Sequence, residues 1–214
     1  LRVLVTAGGT REAIDPVRYI GNRSSGKMGY AIAEAAAARG ADVTLISGPV
    51  ALLVPGGVKR ISVESAAQMR EAVLEVFPDT DIVIKAAAVA DYRPEKAEVQ
   101  KIKKSANSLT LVLTKNPDIL AELGQLKQSQ FLVGFAAETQ ELVAHATEKL
   151  RKKNLDMLVA NDVTLSGAGF EADTNIIKIL TPDGAIEELP QMSKQELGRV
   201  ILDRIIARRS HMAK

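Results

Sequence analysis

Cysteine is absent from the 214 residues. Disulfides, thiolate metal sites, a Cys nucleophile and an enzyme-bound thioester are therefore excluded. Tryptophan is also missing, and aromatics make up only 3% of the chain. The core must be built from Ala, Val, Ile and Leu, and there is no aromatic platform on which a single nucleic-acid strand could stack. Histidine occurs twice, as His145 in a charged helical stretch and His211 in a Ser-His-Met-Ala-Lys tail. Ser–His relays and His-rich zinc sites are poor readings of such a chain. The formal net charge of +2 gives no electrostatic reason to expect a nucleic-acid partner. No apolar run is long enough to span a bilayer and there is no secretory signal, so neither a membrane partner nor export is expected and the expected location is the cytoplasm. What remains for chemistry is Lys, Asp, Asn, backbone amides and a metal carried in by a nucleotide.

What is present alternates. Arg2–Thr6 reads as a buried strand, and Lys27–Arg39 as an alanine-rich helix ended by Gly40 in the left-handed conformation. Strands follow at Asp42–Ser47 and Val58–Val63, then a helix capped by Ser65 and running to about Phe77. Asp81–Ala87, Phe131–Phe135 and Met157–Ala160 are further strands, the last two separated by a charged helix around Glu141–Lys153. The expected fold is α/β: a doubly wound, Rossmann-like, mostly parallel sheet whose ligands sit at the carboxyl ends of the strands. The end of the chain changes character. Asn175–Leu180, the turn Thr181–Gly184 and Ala185–Leu189 predict a β-hairpin, and Ser193 caps a last helix. Length and the lack of a linker predict one domain over 1–214. Asp91 to about Ser108 has no steady period and holds Lys101-Ile-Lys-Lys104; it reads as a long, flexible, basic strap.

Three segments carry the chemistry. Gly21 to Gly26-Lys27 imitates G-x-x-x-x-G-K, but Met28 stands where a P-loop needs Ser or Thr, and strand one ends far upstream. A P-loop is rejected; an anion site at the start of a helix is kept. Thr6-Ala-Gly-Gly-Thr10 follows strand one, where Gly8 and Gly9 allow close backbone approach or simply make a turn. After strand four, the alanines of Ala86–Ala90 admit a flat ligand or a packed helix, and Asp91 suits a Mg²⁺–triphosphate, a base contact or a loop cap. The three lysines of the strap form either a solvated face or a lid over a polyphosphate. Lys115-Asn-Pro-Asp118 offers a second helix start with Pro117 suited to its first turn, and Lys149 and Lys153 share a helix face. Tyr92-x-x-x-Lys96 imitates the pair of short-chain dehydrogenases, but Pro94 lies between the two and strand two ends on Ser47-Gly48-Pro49 without a ribose-binding acid.

Together these motifs resemble the phosphopantothenoylcysteine synthetase family in its bacterial, CTP-using form. The resemblance is carried by Val5–Glu12, Asp15-Pro-Val-Arg-Tyr19, Asn22–Gly29, Ala86–Tyr92, Lys101–Lys104, Lys115–Asp118, Val133–Thr139 and Val159–Asp162, and covers nearly the whole chain. Gly9 stands where some members have Pro. The resemblance implies a ligase that joins 4′-phosphopantothenate to L-cysteine, with CTP and Mg²⁺, through an acyl-cytidylate. It also implies a homodimer and, with Leu1 rather than Met at the start, a place behind a flavin-dependent decarboxylase in a bifunctional protein. By motif, Asn22 holds the acyl group and its oxyanion, and Lys101 contacts the nucleotide and aids transfer. Gly8, Gly9, Ser24, Ser25 and Gly26 shape the phosphate region. Ala87, Asp91, Pro117, Asp118, Phe135, Lys149 and Lys153 line the CTP site, with Asp91 a metal contact through the phosphates. A nicotinamide oxidoreductase of the short-chain type and a non-catalytic nucleotide-binding module are the alternative readings.

Overall fold

The computed structural model describes residues 1–103, 108–138, 142–162 and 171–212. Six strands run parallel: β1 (Arg2–Ala7), β4 (Asp42–Ser47), β5 (Val58–Ser62), β6 (Ile82–Lys85), β9 (Phe131–Glu138) and β10 (Met157–Asp162). Two antiparallel strands extend the sheet beyond β10, namely β11 (Thr174–Leu180) and β12 (Ile186–Ser193). The order across the sheet is β12-β11-β10-β9-β6-β1-β4-β5. Counted among the parallel strands alone this is 3-2-1-4-5-6, the doubly wound order, with its switch point between β1 and β6.

The inner parallel strands β1, β4, β6, β9 and β10 are buried on both faces, so their residues divide between two apolar layers, whereas the edge strands β5 and β12 have no buried residue. Val5, Leu45, Ile84 and Val133 meet α1 (Lys27–Ala37) and α5 (Lys194–Met212) through Ile32, Leu197 and Ile201. Leu4, Ile46, Val83 and Leu132 meet α2 (Ala66–Val76), α3 (Ile119–Leu126) and α4 (Leu142–Lys152) through Met69, Leu120, Leu123 and Leu150. Continuous apolar strands are what burial under helices on both sides requires.

The helix ends follow local chemistry. Ser65 and Gln68 form a reciprocal capping box at α2. Ser193 and Glu196 do the same at α5, with Glu196 N–H donating to Ser193 Oγ at 3.2 Å and Ser193 N–H to Glu196 Oε2 at 2.9 Å. Helix α1 stops at Ala37, two residues short of the expected Arg39, because Gly40, at φ 75°, closes a Schellman turn in which Ala41 N–H reaches Ala36 O at 3.2 Å. The predicted hairpin is present as β11–β12, and β12 runs on through Pro190 to Ser193, which an edge strand tolerates.

Four short strands were not expected. β2 (Arg11–Asp15) and β3 (Arg18–Gly21) make a hairpin between β1 and α1. The strap, expected to lack structure, begins as β7 (Tyr92–Pro94), paired with β8 (Leu113–Lys115). Lys104, the last residue of the basic motif, lies outside the described residues, as do Glu141 and Thr139. Among the described residues no helix is long and apolar enough to cross a membrane.

Candidate functional site

At the carboxyl ends of β1 and β6 the two halves of the sheet are stitched together. Ala87 N–H donates to Thr6 Oγ1 at 3.2 Å, Ala88 N–H to Gly8 O at 2.9 Å and Ala90 N–H to Thr10 Oγ1 at 3.0 Å. Gly9 and Ala88 form a single parallel bridge. Asn116 adds a third strut: its Nδ2 donates to Ala90 O at 2.8 Å, and its backbone N–H to Asp91 O at 2.8 Å. The segment from Ala86 to Asp91 is thus held by its backbone; Ala90 is buried, and Ala86, Ala87, Ala88 and Val89 are partly exposed along one wall of a cleft.

Across from it lies the start of α1. Gly26, at φ 76°, turns the chain into the helix in a conformation closed to most residues. Ser24 Oγ accepts from Gly26 N–H at 3.3 Å and Ser25 Oγ from Lys27 N–H at 3.5 Å. Gly29 lets the helix settle on β1: a Cβ there would lie 2.6 Å from Ala7 Cβ and 3.0 Å from Thr6 O. The positive end of the α1 dipole therefore opens onto the switch point. Between these walls is a cleft of about 600 Å³.

The cleft gathers many of the residues singled out from sequence. Asn22, Ser24, Ser25, Gly26, Ala87, Asp91, Phe135 and Lys149 all line it. Asn22 is oriented by its own amide, whose Nδ2 donates to Val89 O at 3.1 Å. Gly8 and Gly9 stand behind the wall and make the staples just described. Asp118 caps α3, accepting from Ala121 N–H at 3.1 Å, and pairs with Lys153 at 2.7 Å. Neither lines the cleft; nor does Pro117, which precedes the cap instead of entering the first turn. Lys101 is exposed on the strap and stands outside the cleft.

Lys85, Asn175 and Lys194 also line the cleft although no motif named them, and Arg23, Ala136 and Asn161 do so from motifs that gave them no role. Lys85 carried a signal, a lone charge closing the apolar run Ile82-Val-Ile84 at a strand's carboxyl end. Burial, and then the neighbouring Lys153, push its pKa from 10.5 down to about 8, against the pull of Asp118 and Asp91. Lys194 is buried at the start of α5, with Nζ donating to Ala172 O at 2.5 Å. Lys27, at the P-loop-like position, is turned toward Asp173 Oδ1 at 2.6 Å and Glu171 O at 2.8 Å. Asp91 is exposed and contributes one carboxylate. Among the described residues no group of three or more His, Asp or Glu is arranged to hold a metal ion. A hard divalent cation takes six or more oxygens, so at Asp91 it fits only as an ion brought in by a polyphosphate.

The two rival motifs have different surroundings. Tyr92 opens strand β7 and Lys96 lies in a bend beyond it, so the two are not a turn apart on a helix. β1 and the start of α1 are separated by the whole β2–β3 hairpin, which no P-loop has.

Residues 1–208 match the family model described as the DNA/pantothenate metabolism flavoprotein C-terminal domain. The chain belongs to that family. It is 57% identical over 206 residues to the coenzyme A biosynthesis bifunctional protein CoaBC of Bacillus subtilis (strain 168), covering 96% of this chain and 51% of that protein. The chain thus spans about half the length of that relative. A crystal structure of the C-terminal domain of CoaBC superimposes with a TM-score of 0.82 at 48% identity, covering 95% of this chain and 93% of that one. A complex of the Cab2 mutant H337A with phosphopantothenate-cysteine gives 0.79 at 19% identity, over 98% and 86% of the two chains; at that identity the likeness is one of fold. As a flavoprotein C-terminal domain the chain has the doubly wound α/β sheet that its periodicity predicted, and the hairpin and α5 are part of the shared architecture.

Proposed function

We propose that this domain is the phosphopantothenoylcysteine synthetase unit of coenzyme A biosynthesis. In this reading it joins 4′-phosphopantothenate to L-cysteine with CTP, in the presence of Mg²⁺. The observation that carries the reading is the cleft at the switch point, where an anion-binding helix start, Asn22, Asp91 and the cations Lys85 and Lys149 converge, in a chain of this family. The ligand of the Cab2 complex, phosphopantothenate-cysteine, is the product such a reaction would give.

The chemistry suits a chain without cysteine. A carboxylate is a poor acyl donor until its oxygen becomes a good leaving group. Attack of the phosphopantothenate carboxylate on the α-phosphorus of CTP forms the new P–O bond as the bond to pyrophosphate breaks. The cysteine amine then attacks the acyl carbon of the cytidylate, a proton is lost from nitrogen, and CMP leaves with the C–O electron pair. Both steps gather negative charge, which preorganised cations and amide donors stabilise. Ser24, Ser25, Gly26 and the α1 amides take the polyphosphate, with Gly8 and Gly9 setting the floor behind it. Ala87, Phe135 and Lys149 take the nucleoside, with Lys153, Pro117 and Asp118 supporting from the flank. Asp91 meets Mg²⁺ through the phosphates, Asn22 the acyl oxygen, and Lys101 the reacting phosphate once the strap closes.

A homodimer is part of the proposal. Val99 of the strap, Leu109, Leu111 and Val112 just after it, and Leu113 at the start of β8 are exposed apolar side chains, a concentration that suits burial against a second copy. A flavin-dependent decarboxylase is the proposed companion activity in a bifunctional protein.

The test is pyrophosphate release from CTP, 4′-phosphopantothenate and Mg²⁺, with and without cysteine. CMP formation that requires cysteine for full turnover is expected, with CTP preferred over ATP at equal subsaturating concentration. No pyrophosphate from any nucleotide would leave a binding module; equal use of ATP would remove the CTP assignment.

Lys85 supplies a second prediction. Its ammonium attracts a polyphosphate but is lost as pH rises through about 8, so nucleotide affinity should fall between roughly pH 7 and 9. Stability has the opposite sign. The unfolded chain holds this proton up to its ordinary pKa of 10.5, so the Lys85 contribution to stability improves between about pH 8 and 10.5. Lys85→Met should weaken nucleotide binding at pH 7 and flatten its pH dependence, as read by calorimetric titration. An unchanged slope would assign the pH dependence to another group.

A further inference from the structure

The motif Asp15-Pro-Val-Arg-Tyr19 has no part in the chemistry above, yet it holds a fully buried carboxylate. The Asp15 side chain has no exposed surface. Its Oδ1 accepts from Val17 N–H at 2.8 Å and Arg18 N–H at 2.9 Å, which is the ordinary turn-closing use of Asp in a hairpin. Its Oδ2 accepts from the Arg18 guanidinium and from the backbone N–H of Ile102 at 3.1 Å. Ile102 lies 87 positions away in sequence and adjoins Lys101. No turn requires that bond. Two more contacts accompany it: Arg18 Nη1 donates to Ile102 O at 3.4 Å, and Glu98 N–H donates to Ile14 O at 2.9 Å. The strap is therefore fastened to the β2–β3 hairpin at two places, and β3 runs directly into Asn22. Burial pushes the Asp15 carboxyl up, but the Val17, Ile102 and Arg18 donors more than reverse this and hold it at about 2, so it stays a carboxylate at any pH near neutrality.

We infer that Asp15 is a positioning residue whose carboxylate fixes the root of the strap, so that Lys101 reaches the Asn22 end of the cleft from a constant point. The inference rests on the ligase reading for its kinetic consequence. Its structural consequence, a fastened strap, stands on the hydrogen bonds alone. Asp15→Asn replaces one acceptor oxygen by an NH₂ group, which cannot receive either Ile102 N–H or the guanidinium.

Three measurements test it. In limited trypsin digestion, cleavage after Lys101 and Lys103 should be about tenfold faster in Asp15→Asn, with cleavage in the sheet unchanged, as expected for local release without global unfolding. In pyrophosphate release, kcat should fall about tenfold with the KM for CTP little altered, since a misplaced group costs rate. In a Lys101→Gln background the same Asp15→Asn change should cause no further loss of kcat, because residues acting as a unit are not additive. Asp15→Glu should recover part of the rate. Ile102→Pro, which removes the strap's N–H donor, should likewise speed cleavage after Lys103, the one of the two sites it leaves open because trypsin does not cut a Lys–Pro bond, and carries the test if Asp15→Asn does not fold. Unchanged cleavage after Lys103 in folded variants, and after Lys101 in Asp15→Asn, would overturn the fastening. Equal, additive losses of kcat in the two backgrounds would make Asp15 a stabiliser of the hairpin only. Failure of the wild-type chain to release pyrophosphate would instead count against the ligase reading, while the digestion result still decides the fastening.

Discussion

Lys101→Gln should lower turnover by on the order of 10²-fold or more while the fold stays intact. Lys101 is exposed and lies outside the apolar layers, so the change opens no cavity and should alter stability by less than about 0.5 kcal/mol. Glutamine keeps a polar side chain but has no charge to set against the reacting phosphate. The effect depends on movement. The lysine stands outside the cleft while its neighbour Ile102 is bonded to Asp15, so in the proposed reading its side chain swings in from that fixed root over bound nucleotide, a common way of excluding water at the moment of reaction. Pyrophosphate release, with circular dichroism to verify folding, is the measurement. Near-normal turnover would return the strap to the status of a solvated basic face.

Asn22→Asp should separate the two half-reactions. The Asn22 amide carries two N–H groups; one is given to Val89 O, and the other is available in principle to an acyl oxygen. An aspartate keeps neither and faces the Val89 carbonyl with a negative charge. Formation of the cytidylate builds charge mainly at phosphorus and should survive better than attack by cysteine, which builds it on the acyl oxygen. Acyl-cytidylate should therefore accumulate, and rapid quench with labelled CTP would reveal it. Loss of pyrophosphate release would move Asn22 into the activation step. Wild-type behaviour would leave it as a turn residue whose amide merely ties the Gly21–Gly29 segment to the loop after β6.

The parts of this fold legible in sequence are those whose side chains repeat with a period. The parallel strands announced themselves as unbroken apolar runs, and Ser65, Ser193 and Gly40 marked helix ends by chemistry that acts within a few residues. The strands β2, β3, β7 and β8 were hidden because they are only three to five residues long and their buried positions are Glu12, Asp15 and Pro94, which form no apolar stripe. The site was legible wherever a motif fixed the backbone, as at Asn22–Gly26 and Ala86–Asp91. Lys85 showed its place, a lone charge ending an apolar strand, but not its altered basicity, which arises from burial and from Lys153, which only the folded chain brings near. In sequence Asn116 is simply part of the helix start Lys115–Asp118. Its actual work, holding Ala90 and Asp91, depends on partners some 25 positions away, and nothing local reveals it.

The placement of α5 has a consequence for biosynthesis. Arg39, just after α1, donates to Asp203 Oδ1 at 2.6 Å, across a sequence separation of 164, and Leu197, Ile201 and Ile205 complete the layer that begins with Val3 and Val5. Every strand that α5 shields is translated before α5 itself. While the ribosome is still working, one side of the growing sheet has only α1 to cover it, and its valines and isoleucines stay open to solvent and to other chains. Contacts this distant in sequence also slow the search for the native state. The nascent chain is thus most exposed to aggregation just before its final helix emerges, and a stop codon placed upstream of Lys194 should yield insoluble protein even though every parallel strand has been made.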